Sequence, residues 1–379
     1  VYMKLLHIAD LHIGKRVNEY SMLEDQRHIL DQIINIAIEE KTDGILIAGD
    51  IYDKSLPPAE AVELLDDFLT KLIKSGHAVF MISGNHDSPE RIGFGSRIME
   101  NNQLYISGVF EGTLNKVTMK DEHGEINIYM LPFIKPAMLR PYYEEAPESY
   151  DEAVKLVISK ANVDTKVRNI LISHQFVISG IQEPERSDSE HISVGGMDHV
   201  DTSAFDAFDY IALGHLHRPQ SIGKDNIRYA GSPLKYSFSE ALHKKSVTLL
   251  EFGKKGILSI LTRPLSPLRD LREIKGPINE LLGIGKEEET AESDYMHITL
   301  TDEEEIYDAI GQLRQVYPNL MVLDFENNRT CQSVYGYLAA TAEAVRKTPL
   351  ELFEEFYQLQ NNTELSSEQI DIITKVMEE

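Results

Sequence analysis

The 379-residue sequence predicts an α/β protein with a layered core, followed by a small α/β module and a terminal pair of helices. Three observations carry this. Short apolar runs recur and each ends in polar residues; amphipathic helical patterns lie between the early ones; and the polar blocks carry carboxylate, amide and imidazole side chains. Strand, helix, strand at this spacing is the pattern of layered α/β folds, in which loops at strand ends converge on a crevice.

The first apolar run, Lys4–Ala9, leads into Asp10. Gly44–Ala48 leads into Gly49-Asp50, and Ala78–Ser83 into Gly84-Asn85-His86-Asp87. Between them Leu30, Ile33, Ile34, Ala37 and Ile38 share one helical face, as do Ala61, Leu64, Leu65, Phe68 and Leu72. Asn169–Ser173 then runs into His174, and Asp209–Leu213 into Gly214-His215. Strands around Ile227–Ala230 and Ser246–Phe252 are expected to close a first domain over 1–265. The run Arg263-Pro264-Leu265-Ser266-Pro267 breaks regular structure and reads as its boundary.

Beyond it, Tyr295–Leu300, Glu303–Val316 and Leu320–Phe325 read as strand, helix, strand within a module over 266–340, with Gly285–Ser293 expected as a loop. The tail, 341–379, carries two helix starts. Thr348-Pro349-Leu350-Glu351 offers an N-cap, a proline at the first helical position and a glutamate at the third, and Ser366-Ser367-Glu368-Gln369 repeats the capping logic. Two such amphipathic helices either pack on the preceding module or form a hairpin that binds a partner.

Composition narrows the class. The hydrophobic content of 42% and charged content of 26% are those of a soluble globular chain. No apolar run is long enough to cross a bilayer, and Val-Tyr-Met-Lys-Leu-Leu has no secretory pattern; Met3 is expected to be the native start. The single cysteine, Cys331, excludes an intramolecular disulfide framework and suits a reducing cytoplasm. The formal net charge of −25 argues against tight DNA binding by the whole surface alone. A nucleic-acid substrate then needs local basic residues, bound cations or a partner that holds it.

The polar blocks form a metal-binding problem. Asp10 and His12 are two apart, as are His215 and His217, so each pair points one way from an extended segment. With Asp50, Asn85 and His174 they make seven donors, too many for one tetrahedral site. Mixed carboxylate, amide and imidazole donors suit Mn, Fe or Zn better than Mg or Ca. Two ions sharing a bridging carboxylate account for the set. No block is distinctive alone: Asp-x-His is common, and Gly-Asn-His-Asp also fits a simple turn. Their order, each at a strand end, is what excludes chance.

These blocks resemble the calcineurin-like metallophosphoesterase superfamily over roughly the first 250 residues. The chain is more closely similar to the SbcD family, nuclease subunits of bacterial SbcCD complexes. That likeness rests on Lys4–His12, Gly49–Asp53, Gly84–Ser88 and Tyr210–His217, and continues through Tyr229-Ala230-Gly231-Ser232-Pro233 and Tyr236-Ser237-Phe238-Ser239-Glu240. It implies a layered β-sandwich flanked by helices, a small α/β capping domain, and a C-terminal helical hairpin that docks SbcC, an SMC-like ATPase.

By the same resemblance, two divalent ions, Mn2+ foremost, are implied. One would be held by Asp10, His12, Asp50 and His217, the other by Asp50, Asn85, His174 and His215, with Asp50 bridging. His86 is implied as general acid toward the leaving oxygen, with Asp87 orienting it. The implied activity is phosphodiester hydrolysis in DNA end and hairpin processing: single-strand endonuclease without ATP, double-strand exonuclease with ATP and SbcC. A cytoplasmic, nucleoid-associated homodimer is implied as well. One departure stands out, since archaeal and eukaryotic relatives carry a substrate-handling histidine where this chain has Asp53.

Two other readings compete. A phosphomonoesterase or cyclic-nucleotide phosphodiesterase would keep the metals, and acidity favours it slightly. Against it, Lys54 stands where serine/threonine phosphatases carry arginine, Asp53 where purple acid phosphatases carry a tyrosine ligand, and the added module has no use on a small substrate. A degenerate scaffold would have lost donors or the acid histidine, and none is lost.

Overall fold

The computed structural model describes residues 2–145, 147–190, 199–288, 291–304 and 306–327, with isolated positions Phe353, Tyr357, Ser366, Gln369, Ile370 and Ile373. The chain divides into two compact units. The first comprises 1–273 with 293–296, the second 274–292 with 297–379.

The first unit is built on two six-stranded sheets. One runs in the order Leu258–Pro264, Ser246–Phe252, Met3–Ile8, Gly44–Ala48, Ala78–Ile82 and Leu104–Ser107. Its last four strands are parallel. The other runs Gln220–Ile222, Lys224–Tyr229, Tyr210–Leu213, Arg168–Ser173, Gly124–Leu131 and Asn115–Asp121, with the four inner strands parallel. Parallel strands covered on both faces read as near-continuous apolar runs; Gly44–Ala48, Ala78–Ile82 and Tyr210–Leu213 are buried at every position, and so is Arg168–Ser173, whose polar residues lie at its two ends.

The core between the sheets interleaves Leu5, Leu46, Phe80 and Ile82 of the first with Ile128, Ile170, Ile172 and Ala212 of the second. The far face of the second sheet packs Leu171, Ile211 and Leu213 with Val154 and Val157 of the helix Tyr150–Lys160. The helices Leu23–Glu40 and Ala59–Lys74 bury Ile29, Ile33 and Ala37, and Leu64, Phe68 and Leu72, respectively. The expected layered β-sandwich flanked by helices is thus the observed fold of this unit.

Three local expectations are corrected. Arg263 and Pro264 do not interrupt regular structure; they end the strand Leu258–Pro264, which lies at a sheet edge where a proline costs no ladder bond. Gly285 is not in a loop but in the helix Ile278–Glu287, where a Cβ would fall 2.5 Å from the Tyr317 ring. The helix expected over 303–316 is shorter, Ala309–Arg314, because the Asp308 side chain caps it by accepting the Gly311 N–H at 3.1 Å.

The second unit holds those two helices and the strand Leu320–Phe325, part of a three-stranded sheet with Leu271–Gly276 and Tyr295–Leu300. Its core includes Ile298, Leu300, Leu313 and Tyr317, whose hydroxyl donates to the Leu281 carbonyl at 2.7 Å. The tail hairpin expected over 341–379 lies outside the described residues, the isolated positions apart.

Candidate metal centre

All seven expected donors sit just beyond the C-terminal ends of parallel strands. Asp10 and His12 follow Met3–Ile8, Asp50 follows Gly44–Ala48, and Asn85 follows Ala78–Ile82. His174 follows Arg168–Ser173, and His215 and His217 follow Tyr210–Leu213. The first two loops run on side by side: the Asp10 N–H donates to the Gly49 carbonyl at 3.1 Å and the His12 N–H to the Asp50 carbonyl at 3.0 Å.

The backbone is held in costly conformations there. Asp10 (φ 54°), His12 (44°), Asp50 (50°) and His215 (94°) are all left-handed. Such non-glycine residues cost on the order of 1–3 kcal/mol each and persist only where surrounding structure over-determines them. Close approach is secured by glycines: a Cβ on Gly84 would lie 2.1 Å from Asp50 Oδ1, and one on Gly49 (φ +86°) 2.4 Å from His174 Nδ1.

The donor atoms converge. Asp50 Oδ1 accepts the His86 N–H at 2.9 Å. Its Oδ2 lies 3.6 Å from His12 Nε2 and 3.3 Å from His174 Nε2. His12 Nε2 is 3.1 Å from His217 Nε2. Asn85 Oδ1 is 3.0 Å from both His174 Nε2 and His215 Nδ1. Asp10 Oδ1 accepts the His215 N–H at 2.9 Å and lies 4.0 Å from His174 Nε2. Side-chain atoms of Asp10, His12 and His217 lie within 4.8 Å of one another, as do those of Asp10, Asp50 and His174.

The electrostatics are those of a site short of positive charge. Burial, then repulsion from Asp50, raises the Asp10 carboxyl to about 7 against the pull of His174 and His217. Burial would lower His174, but the Asp50 charge outweighs it and raises the imidazole to about 9. Burial also opposes ionisation of Asp50, and there the His174 charge wins and holds the carboxyl well below its usual range. Burial, reinforced by the charge of His174, pushes His215 down to about 3. Asp10 Oδ2 is buried with no hydrogen-bond partner, which is costly unless a cation satisfies it.

The residues present fit a pair of divalent ions. Nitrogen and oxygen donors bound at about 2.1 Å stand roughly 3.0–3.4 Å apart along the edges of a coordination polyhedron, the range in which most of these separations fall.

The surroundings of His86, the residue expected as the acid, differ in detail from expectation. The His86 ring stands edge-on to His12, centroids 4.9 Å apart. Asp87, expected to orient His86, accepts instead the backbone N–H groups of Ile51 (3.1 Å), Tyr52 (2.9 Å) and Gly84 (2.8 Å), tying the second and third loops together. The atom 3.1 Å from His86 Nδ1 is the carbonyl oxygen of Asp53. The Asp53 carboxylate pairs with Lys15 at 2.8 Å and lies 3.7 Å from His12 Nδ1.

Sequence reading missed Gln26, whose side-chain amide donates to the His12 carbonyl at 2.7 Å and whose oxygen accepts the Gly14 N–H. A glutamine on the apolar stripe of its helix, four positions before Leu30 and seven before Ile33, was the available signal. Glu240 was quoted only as part of a motif, yet it contacts His217. Of the remaining histidines, His7 is a core residue bonded to Tyr210 and Leu213, and His297 pairs with Asp324. His191 lies outside the described residues.

Comparison with known proteins gives the family. Residues 3–219 match the calcineurin-like phosphoesterase family, and 267–361 match the type 5 capsule protein repressor C-terminal domain. The chain is 34% identical to the SbcD component of the nuclease SbcCD of Staphylococcus epidermidis, over 99% of its own length and 98% of that protein's. Among solved structures it is similar to a dimetal phosphatase from Danio rerio (TM-score 0.38, 11% identity, 70% of this chain and 99% of that one). It is similar also to TT1561 of Thermus thermophilus (TM-score 0.39, 10% identity, 69% and 99%). The chain belongs to the calcineurin-like phosphoesterase family and, within it, to the SbcD nucleases.

Proposed function

We propose that the chain is a metal-dependent DNA nuclease working on a two-ion centre. One ion is assigned to Asp10, His12, Asp50 and His217, the other to Asp50, Asn85, His174 and His215. The observation that carries this is a single oxygen, Asp50 Oδ2, facing His12 on one side and His174 on the other. Manganese is the assigned metal, on the mixed nitrogen and oxygen donor set. When bound, such ions offset phosphate charge and acidify the attacking water.

The chain's own groups supply the rest. The Asp53 carbonyl can only accept, so His86 Nδ1 carries a proton and Nε2 is the atom that delivers one to the leaving oxygen. Asp87 acts at one remove, holding the loops that carry Asp50 and His86 in register.

The partner assigned to the chain is SbcC, as the full-length likeness to an SbcCD component supports. The module over 266–340 is assigned to capping the site and the tail over 341–379 to docking the ATPase. DNA held chiefly by that partner reconciles the substrate with a net charge of −25. Homodimer formation is assigned to the catalytic unit, where Phe94 and Ile98 expose 82% and 75% of their surface beside two short helices. Among the described residues no helix is long and apolar enough to cross a membrane. The lone Cys331 supports a reducing cytoplasm, and a DNA substrate places the protein near the nucleoid in this reading.

The deciding assay compares Mn2+-dependent cleavage of single-stranded DNA, duplex DNA and a small chromogenic phosphomonoester, with and without SbcC and ATP. Single strands should be cut by the chain alone and duplex ends only by the complex. Rapid turnover of the monoester with DNA left intact would overturn the assignment.

A further inference from the structure

Behind His217 lies a buried charged cluster that the proposed chemistry leaves unused. Glu240 and Lys245 are both buried, with Lys245 Nζ 2.6 Å from Glu240 Oε2. Lys245 also donates to the His217 carbonyl at 2.8 Å and to Ser232 Oγ at 2.9 Å. The second carboxylate oxygen, Glu240 Oε1, lies 3.2 Å from His217 Nδ1 and accepts the Ser189 hydroxyl at 2.5 Å. Since Ser189 donates its only proton to Glu240, its oxygen acts as acceptor toward His217 Nδ1, 2.8 Å away. Both neighbours of Nδ1 are therefore acceptors. The His217 backbone N–H is fixed as well, donating to Glu190 Oε1 at 2.7 Å.

A buried ion pair calls for a reason, because apolar residues of similar volume hold a core as well or better. The place of this one supplies it. Metal-bound histidines are characteristically oriented by an acceptor on their other nitrogen, which fixes the tautomer and aims the lone pair.

We propose that the Glu240–Lys245 pair, with Ser189, is a positioning device that keeps the His217 proton on Nδ1 and turns Nε2 toward His12 as a metal donor. This rests on the reading of His217 as a ligand. It also gives a physical role to two blocks of the sequence, Tyr229–Pro233 and Tyr236–Glu240, whose Ser232 and Glu240 complete the cluster.

Two measurements test it on the full-length chain. Histidine-selective 15N NMR of the metal-free protein, with the His217 signals identified by their loss in His217→Asn, should show the Nδ1–H tautomer; an Nε2–H tautomer or a rapid mixture would overturn the proposal without any change to the cluster. Calorimetric titration with Mn2+ then compares Glu240→Leu/Lys245→Met, which removes both charges together, with Glu240→Gln/Lys245→Met, which restores one acceptor oxygen. Affinity for one of two ions should fall on the order of 10–100-fold in the leucine variant and by less in the glutamine variant, the other ion being unaffected. Two wild-type affinities in the leucine variant would sink this proposal alone. A wild-type chain that takes fewer than two ions would overturn the metal-centre reading and this proposal together.

Discussion

Replacing Gly49 by alanine tests how tightly the fold packs against its own metal centre. Two costs add. Gly49 sits at φ +86°, where an L-residue costs about 1–2 kcal/mol. The new methyl would fall 2.4 Å from His174 Nδ1 and 2.8 Å from Cγ, an overlap of the kind that costs about 1–3 kcal/mol in a packed interior. Together they give about 2–5 kcal/mol, or a melting temperature lowered on the order of 10 °C. The displaced atom bonds the Ala48 carbonyl at 2.7 Å, so the imidazole turns and the ion that it serves should be held on the order of tenfold less tightly. Gly76→Ala is the control: at φ +89° with nothing within 4 Å of its Cβ, it carries the backbone cost alone. Thermal unfolding and Mn2+ calorimetry on both variants give the comparison. If Gly49→Ala costs no more than Gly76→Ala and binds both ions as the wild type does, the close packing of His174 on this turn is not what shapes the site.

Three further outcomes are expected. Asp50→Ala should lose both ions together, since one oxygen serves both donor groups; metal analysis finding two retained ions would refute the bridging role. His86→Ala should abolish DNA cleavage while keeping both ions, and surviving activity would remove the general-acid assignment. His7 concerns pH: burial, then the Arg228 charge, pushes its imidazole down to about 3. The unfolded chain takes up this proton as pH falls through about 6.5, the folded one only near 3, so stability is full above 6.5 and declines below it. At pH 5 the loss is about 2 kcal/mol. Urea unfolding in chelator should therefore show the gap between wild type and His7→Gln narrowing by that amount from pH 8 to pH 5; a constant gap refutes it.

Much of this was legible in the chain because local chemistry and long-range geometry agree at the strand ends. Runs such as Gly44–Ala48 are apolar at every position since both faces are covered, and each stops where the backbone reaches the crevice. Where contacts distant in sequence decide, local reading failed. Gly285 reads as a loop residue, yet it is glycine because Tyr317 lies against it. Pro264 reads as a breaker, yet it sits on an edge strand where no donor is required. Asp87 stands next to His86 in sequence and serves other amides, while the carbonyl of Asp53, 33 residues away, faces the ring. Sidedness of this kind is set by tertiary packing and leaves no periodic trace.

The split of the donor set between the two sheets has a consequence for the cell that makes this protein. A growing chain that has not reached residue 168 carries four of the seven expected donors, Asp10, His12, Asp50 and Asn85, and none of the strands that bring the rest. Such a fragment on the ribosome, or released by a premature stop, has no complete centre with which to cut the nucleic acid around it. Under the proposed assignment, hydrolytic capacity would arrive only when the last histidines have emerged and the sandwich has closed.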